Sequence, residues 1–411
     1  METFFRTYEY LVAHVQAPVR RQLMDEIQWN DRLIGIKGTR GVGKTTFLLQ
    51  YAKEQFAGDR SCLYVNLNTF YFTKHRIFDF AKHFFEGGGR VLLFDQIFKY
   101  PDWSTDLRLI YDELPLLKVV FTGCSVLPLD EDNPELNGLV KSYNLRGFSF
   151  REFLNLTRKR DYPSLTLEEI LADPEKVASE VLKDGDPLPA FRDYLHHGFY
   201  PFFLEKRNYS ENLLKTMNMM IELDILFIKQ IELKYLHRIK QLFYLLALNT
   251  EQSPNVSHLA SEIDTSRATV MNYIKYLYDA RLINLIYPRG QNFPKKPSRI
   301  LLHNSNLACC IKQGQYGEEE AISQEEINET FFMNTMMKDH WVSCGDRACS
   351  FWVDNELRFR LLEEVPAIDD PLGLVQRHIH VGSTHSVISI VSNLAAPTRR
   401  CIPLWILGFL Y

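Results

Sequence analysis

Short apolar runs alternate with helical stretches over the first 125 residues of the chain. An apolar run at 33–36 leads into a helical run at 46–54, and further apolar runs come at 62–67, 90–95 and 118–125. Apolar runs of this length separated by helical patterns are typical of parallel strands joined by crossover helices. The pattern therefore predicts an α/β fold with a parallel sheet.

A phosphate-binding motif separates the first predicted strand from the first predicted helix. The stretch from Gly38 to Thr45 matches G-x-x-x-x-G-K-[ST], in which the glycines let backbone N–H groups converge on phosphate oxygens. Lys44 is expected to reach the β- and γ-phosphates, and the Thr45 hydroxyl is expected to bind Mg²⁺. The predicted nucleotide-binding residues are Gly38, Gly41, Gly43, Lys44, Thr45 and Thr46. The motif and its strand–helix context predict a P-loop NTPase that binds ATP with Mg²⁺.

An acid ends the third predicted strand, at Asp95, and is the second predicted Mg²⁺ ligand beside Thr45. The next residue is Gln96, where ATPases of this kind carry a glutamate that deprotonates the attacking water. A carboxamide can hydrogen-bond that water but cannot take its proton, and loss of a general base costs about 10²–10⁴ in rate. Thr122 and Ser125 lie at the end of the next predicted strand and are candidates for contact with the γ-phosphate. Gln96 and Ser125 are thus the predicted catalytic positions.

Several tracts together resemble the prokaryotic AAA+-type predicted ATPases that carry a C-terminal region of unknown function. The tracts are residues 30–38, 99–103, 119–123, 143–153 and 402–411. The resemblance implies Asp-Glu at the Asp95-Gln96 positions, a Ser-Ser pair at 124–125 and two arginines at 138–139, none of which this chain has. Arg146 and Arg151 lie nearby and could reach a neighbouring site, or could be ordinary surface residues. The departures predict tight ATP binding with slow or absent hydrolysis.

The pattern after the first domain predicts three further modules. We expect a P-loop ATPase domain at 1–153, a helical lid at 154–240, a winged helix-turn-helix at 241–303 and a C-terminal α/β domain at 304–411. In the third module two short helices precede two strands that flank a tip rich in Gly, Pro and Lys, which is the order of a winged helix. For the last module, the resemblance implies a nuclease-like fold in which Glu329 and Asp354 match catalytic acids but the third acidic tract does not.

Local charge bears on nucleic-acid binding. Residues 228–303 contain 11 basic and 5 acidic residues, whereas 304–370 contain 5 basic and 14 acidic residues. A basic face attracts a phosphate backbone, so DNA contact through the winged helix is one possibility, and a protein-contact role for the same module is the other. The candidate DNA contacts are Arg267, Asn272, Lys275, Lys295 and Lys296. The acidic C-terminal module argues against nuclease activity.

Composition sets the remaining limits. The chain of 411 residues is 46% hydrophobic with a net charge of −4, which is ordinary for a multidomain globular protein. Seven cysteines without a C-x-x-C pair argue against a disulfide framework. The first residues lack the basic stretch and following apolar run of a signal peptide, and no later apolar run reaches the length of a membrane span. We expect a cytoplasmic protein, with oligomeric state and protein partner open. The main hypothesis is an ATP-dependent switch; the alternatives are an active ATPase coupled to DNA and an interaction protein with a vestigial loop.

Overall fold

The computed structural model describes residues 1–129, 133–205, 208–248, 253–312, 322–345, 350–364, 387–398 and 401–411. Its α-helices, in chain order, are α1 (Glu2–His14), α2 (Leu23–Glu26), α3 (Lys44–Phe56), α4 (Ile77–Glu86), α5 (Trp103–Glu113), α6 (Phe150–Arg158), α7 (Leu167–Ala172), α8 (Pro174–Leu182), α9 (Leu188–His197), α10 (Tyr209–Met219), α11 (Leu226–Ile228), α12 (Leu236–Leu248), α13 (Val256–Glu262), α14 (Arg267–Asp279), α15 (Ser305–Lys312) and α16 (Gln324–Met336). Its strands are β1 (Leu33–Gly38), β2 (Cys62–Asn66), β3 (Val91–Asp95), β4 (Lys118–Cys124), β5 (Lys141–Asn144), β6 (Ile283–Ile286), β7 (Arg299–Leu302), β8 (Val342–Cys344), β9 (Ser350–Val353), β10 (Leu357–Leu362), β11 (Val387–Val391) and β12 (Cys401–Pro403).

Contacts within the chain divide it into two compact units. The first unit contains Met1–Gly147 and Leu223–Gln230, and the second contains Phe148–Glu222 and Ile231–Tyr411. This division rests on contacts between residues and does not test the four modules expected from the sequence, which remain a prediction. Among the described residues, no helix has both the length and the apolar character needed to cross a membrane.

The first unit is built on a parallel sheet of five strands in the order β2-β3-β4-β1-β5. β3 is buried along its whole length and β1 along nearly all of it, which explains the continuous apolar runs of the sequence, because helices cover both faces of such a sheet. β5 follows β4 in the chain and was not among the predicted strands; its short run of polar and exposed residues gives no apolar signal. The unit has the P-loop NTPase fold that the sequence predicts.

An apolar core lies within the second unit. Large aromatic side chains fill it, including Phe150, Phe332, Phe351, Phe359 and Trp405, all less than 2% exposed. The four phenylalanines come from α6, from α16 and from a mixed sheet in the order β12-β11-β10-β9-β8, in which β10, β11 and β12 are parallel. Trp405 comes from a buried 3₁₀ turn over Leu404–Phe409, which also packs into this core. Helices α15 and α16 and strands β8 to β12 follow residue 304, whereas a separate C-terminal α/β domain stays a prediction.

Two helices and a hairpin occur within the second unit in the predicted order. Asn255 caps α13 through His258 N–H, and Ser266 caps α14 through Thr269 N–H, which explains where both helices begin. β6 and β7 then pair antiparallel, with Ile283 opposite Leu302. The helices and the hairpin match the sequence expectation, whereas a nucleic-acid role for them stays a prediction.

The tract 149–153, which carried part of the family resemblance, has a structural explanation. Ser149 and Glu152 form a capping box at the start of α6, in which each side chain accepts a hydrogen bond from the other's backbone N–H. Arg151 is 4% exposed and donates to the carbonyl oxygens of Tyr162 and Tyr411. The interpretation of Arg151 as a surface residue is therefore wrong, because its guanidinium is buried within the second unit.

Candidate functional site

The phosphate-binding loop follows β1 at the carboxyl edge of the sheet in the first unit. Gly41 and Gly43 have φ values of 81° and 91°, which L-residues with a side chain rarely adopt. A Cβ on Gly38 would lie 2.4 Å from the carbonyl oxygen of Leu145, so only glycine fits there. α3 begins directly after the loop at Lys44, with Thr45 exposed and Thr46 half-buried in its first turn. The loop, its glycines and the N-terminus of the helix thus occur together as the motif predicts.

Lys44 lies over its own loop. Its ammonium group donates to the carbonyl oxygens of Gly38 and Thr39, at 2.8 and 2.7 Å. Burial lowers the pKa of this lysine, and the nearby carboxylates of Asp224 and Asp95 oppose that shift. Both of these acceptors are neutral carbonyl oxygens. A bound phosphate would instead give the ammonium group of Lys44 an anionic partner.

The Asp95 carboxylate, at the end of β3, accepts hydrogen bonds from three hydroxyl groups. One oxygen accepts from Thr45 at 2.7 Å and from Tyr64 at 2.8 Å, and the other accepts from Thr122. Asp95 is 1% exposed, so these donors replace the water that would otherwise solvate its charge. The predicted pair of Mg²⁺ ligands, Thr45 and Asp95, is therefore adjacent in the structure.

These two residues fit Mg²⁺ by their chemistry. A hydroxyl oxygen and a carboxylate oxygen within hydrogen-bond distance, beside a phosphate-binding loop, form the oxygen donor set that Mg²⁺ takes together with substrate phosphates. When bound, the ion would neutralise charge on those phosphates. Thr45 and Asp95 are the residues that would hold it.

Gln96 follows Asp95 in a fixed backbone conformation. Its φ of 58° lies in the left-handed region, which is uncommon for a residue with a side chain. Its N–H donates to the Thr122 hydroxyl at 2.9 Å, and that hydroxyl in turn donates to Asp95. Thr122 is fully buried and engaged by both neighbours, while Ser125 lies half-buried just past the end of β4. The predicted catalytic positions Gln96 and Ser125 both lie at the carboxyl edge, next to the strands that carry Asp95 and Thr122.

Four residues of this region were not predicted from the sequence. Tyr64 lies two positions before Asn66, which pairs with Asp95 in the register, so the two-residue period of a strand could have placed its side chain near that acid. Arg21 donates to the carbonyl oxygen of Val42 in the loop, and nothing in its local sequence indicates this contact. The other two, Arg40 and Asp224, form a salt bridge across 184 positions of sequence.

The candidate DNA contacts lie in the second unit. Exposed side chains are Arg267 and Asn272 on α14, and Lys295 and Lys296 in the turn between β6 and β7. Lys275 is half-buried and its ammonium lies 2.5 Å from Asp279, so its charge is already paired. The structure therefore leaves four of the five candidates at the surface.

The two acids that matched nuclease positions have separate partners in the second unit. Glu329 is buried and forms a two-point ion pair with Arg299, one arm of which measures 2.7 Å. Asp354 accepts from the Trp341 N–H at 2.8 Å and lies 2.6 Å from His340 Nδ1. Glu329 is thus paired with Arg299, whereas Asp354 is paired with His340.

Comparison with known proteins matches two parts of the chain to family models. Residues 30–154 match the AAA domain, and residues 188–312 match a domain of unknown function, DUF8612. The uncharacterized protein MJ1637 of Methanocaldococcus jannaschii is 28% identical over 294 residues, which is 66% of this chain and 60% of that protein.

Solved structures add two distant likenesses. AMPPCP-bound DnaA from Aquifex aeolicus has a TM-score of 0.25 and 11% identity, covering 67% of this chain and 86% of that one. A DNA replication initiation factor has a TM-score of 0.26 and 14% identity, covering 77% and 86%. The matched family model and the loop, sheet and Asp95 described above agree on one conclusion: residues 30–154 form a P-loop nucleotide-binding domain of the AAA type.

Proposed function

We propose that this protein binds ATP with Mg²⁺ and acts as a nucleotide-dependent switch with weak or no hydrolysis. The observation that carries the proposal is Gln96, which follows the buried Asp95 at the edge of the sheet. Its carboxamide can orient a water molecule but cannot accept a proton from it. Binding residues are present while the residue for turnover is replaced, which is the combination expected of a switch.

Asp95 is a poor substitute for the missing base. Its two oxygens already accept from Thr45, Tyr64 and Thr122, so three of the roughly four acceptor positions of the carboxylate are taken by hydroxyl groups and not by a reacting water molecule. Its expected role as a Mg²⁺ ligand also requires that it stay ionised. Hydrolysis through Asp95 would therefore compete with metal binding.

The switching energy would come from contacts that differ between the empty and the occupied loop. In the structure Lys44 donates to Gly38 and Thr39 carbonyl oxygens, and ATP would replace these neutral acceptors with phosphate oxygens. A ligand shifts a conformational equilibrium only as far as its contacts differ between the two states. The charge-assisted bonds of Lys44 are one such difference.

The test combines isothermal titration of ATP and Mg²⁺ with a phosphate-release assay, on the native chain and on Gln96→Glu. We expect binding at micromolar concentration or tighter in both proteins, with phosphate release that is negligible in the native chain and rises in Gln96→Glu. Lys44→Ala is the control and should lose ATP binding. Equal, rapid release from the native and Gln96→Glu proteins would contradict the switch, and no binding by the native chain would contradict the nucleotide site.

A second candidate function is an active ATPase coupled to DNA, which four exposed residues favour. Arg267, Asn272, Lys295 and Lys296 lie on the surface of the helices and hairpin that the sequence assigns to a winged helix. Phosphate contacts by two lysines contribute about two units to the slope of log affinity against log salt. A gel shift that loses this slope in Lys295→Glu plus Lys296→Glu would support DNA contact.

The control for that experiment reverses two exposed lysines of the first unit, Lys74→Glu plus Lys82→Glu. The two double variants change net charge equally, so a general electrostatic effect would appear in both. DNA binding that both double variants retain unchanged would remove the hairpin lysines from any interface.

A further inference from the structure

A salt bridge joins the phosphate-binding loop to a distant segment of the chain. Arg40, in the loop, donates to both carboxylate oxygens of Asp224: Nε lies 3.0 and 3.1 Å from the two oxygens, and Nη2 lies 2.7 Å from one of them. Asp224 is 2% exposed, and about one fifth of the Arg40 side chain is exposed. A two-point contact of this kind fixes both partners in geometry as well as in charge.

Asp224 lies in an irregular helical segment. Residues Met220–Ile225 form a π-helix, which continues into α11. π-Helical turns are rare, and they occur frequently at functional sites because the extra residue per turn re-aims a side chain. Leu223–Gln230 groups with the first unit, whereas the residues before and after it in the chain group with the second. The segment that carries Asp224 is therefore joined by the chain to the second unit at both of its ends.

The charges around Asp224 are those that would bind phosphate. Arg40, Lys44 and Lys99 all act on its carboxyl group. Burial nevertheless raises the pKa of Asp224, and Arg40 opposes this shift. The charged carboxylate is therefore stabilised by Arg40 against the cost of removing it from water. The carboxylate of Asp224 thus lies among cationic side chains that would otherwise be available to phosphate.

We propose that Asp224 competes with the phosphates of bound nucleotide for Arg40, so that triphosphate binding releases Asp224 and the segment 223–230. This inference rests on the proposed nucleotide site. Phosphate oxygens and a carboxylate make the same kind of bond to a guanidinium, and two anions repel each other when they share one cation. In this way, binding of phosphate moves residues 223–230, a segment that the chain joins to the second unit.

Two consequences follow from the competition. Because coupling between two sites is reciprocal, a salt bridge that nucleotide weakens must itself weaken nucleotide binding, so removing the negative charge of Asp224 strengthens that binding. A triphosphate carries more charge than a diphosphate, so the effect is larger for ATP than for ADP. A residue that only holds the loop in shape would have the opposite effect, since its removal weakens binding.

Titration calorimetry of ATP and of ADP on the native chain and on Asp224→Asn tests the competition. Asparagine keeps the size and one acceptor oxygen of the aspartate and removes the charge. We expect ATP to bind at least about fivefold more tightly to Asp224→Asn, the lower end of the range typical of coupled sites, with a smaller gain for ADP. The matched control is Asp112→Asn, which removes the same charge from an exposed pair on α5 and should change neither affinity. Unchanged or weaker ATP binding by Asp224→Asn overturns the proposal.

A double variant shows whether Arg40 carries the effect. Arg40→Gln removes the cation for which the two anions compete, so adding Asp224→Asn to Arg40→Gln should give a gain smaller than the gain in the native background. A gain that persists in full without Arg40 overturns the assigned competition. If neither the native chain nor Asp224→Asn binds ATP, the nucleotide site itself is refuted, which is distinct from binding that Asp224→Asn leaves unchanged.

Hydrogen exchange on the native chain provides a test that needs no variant. Amides of residues 220–230 should exchange several-fold faster when ATP and Mg²⁺ are added, while amides of β3 should not. Faster exchange in this segment supports release of Asp224. Exchange that slows or stays the same with ATP bound overturns it, however the variants fold.

Discussion

Two adjacent arginines in the first unit should differ sharply in their effect on stability. Arg21 is 7% exposed, and its guanidinium donates to the Val42 carbonyl oxygen at 3.1 Å and to two carbonyl oxygens after β5, at 2.7 and 2.9 Å. Arg20 is about half exposed and pairs with Asp25 at 2.5 Å. Arg21 thus joins the phosphate-binding loop to the chain leaving β5, whereas Arg20 makes a surface ion pair. We compare Arg21→Met with Arg20→Met, which remove the same charge and leave the same side chain.

The expected magnitude follows from the bonds that each variant loses. Hydrogen bonds from a charged donor contribute roughly 1.5–3 kcal/mol each, and three carbonyl oxygens lose such a donor in Arg21→Met. Removing a buried guanidinium also recovers several kcal/mol of its desolvation cost, which reduces the sum. We expect a net loss of about 3 kcal/mol in the free energy of unfolding of the first unit. Arg20→Met should cost under about 1 kcal/mol, as exposed ion pairs do.

The measurement is hydrogen exchange in a urea series, followed in peptides from β1 and α3, because it reports on the first unit separately from the second. Arg21→Met should also weaken ATP binding, since Val42 lies in the loop. Equal losses of stability for the two variants would refute the idea that Arg21 anchors the loop.

Three further outcomes follow from the described site. Gly38→Ala places a Cβ 2.4 Å from the backbone oxygen of Leu145, so it should abolish ATP binding and lower the melting temperature, measured by calorimetry. Thr45→Val removes the hydroxyl next to Asp95, and titration with and without EDTA should show that it loses the Mg²⁺-dependent part of ATP affinity while keeping the rest. Burial raises the pKa of Cys124 from 9.0 to about 12, so its contribution to stability is complete below pH 9 and is lost as the pH rises towards 12. Cys124→Ser should therefore flatten the fall in stability that alkaline titration of the native chain shows over that range.

The parts of the fold that the sequence predicts are those fixed by local pattern. Strand β1, the loop and α3 follow one another within 24 residues, and the glycines, the apolar run and the helix each specify their own conformation. The same holds for α13 and α14, whose N-cap residues Asn255 and Ser266 can be recognised in the sequence. Local rules suffice wherever neighbouring residues determine the structure.

Contacts between distant parts of the chain could not be predicted. Asp224 occupies an ordinary polar position of a helical run, and only the folded chain brings it to Arg40. Thr122 was expected to contact phosphate because it lies at the end of a strand, whereas its hydroxyl is shared between Asp95 and Gln96. Which of several nearby partners a hydroxyl selects depends on distances that a sequence does not contain.

The backbone at Gln96 makes Gln96→Glu a clean test of chemistry. The left-handed φ of 58° and the hydrogen bond from Gln96 N–H to Thr122 fix where the side chain starts, and both involve only the backbone of residue 96. Glutamate has the same size as glutamine, so the variant changes the ability to take a proton and leaves that anchoring intact. We expect phosphate release to rise by about 10²–10⁴ if the missing base alone limits hydrolysis. A rise below tenfold, with ATP affinity unchanged, would show that a second missing group, such as an arginine, limits the reaction instead.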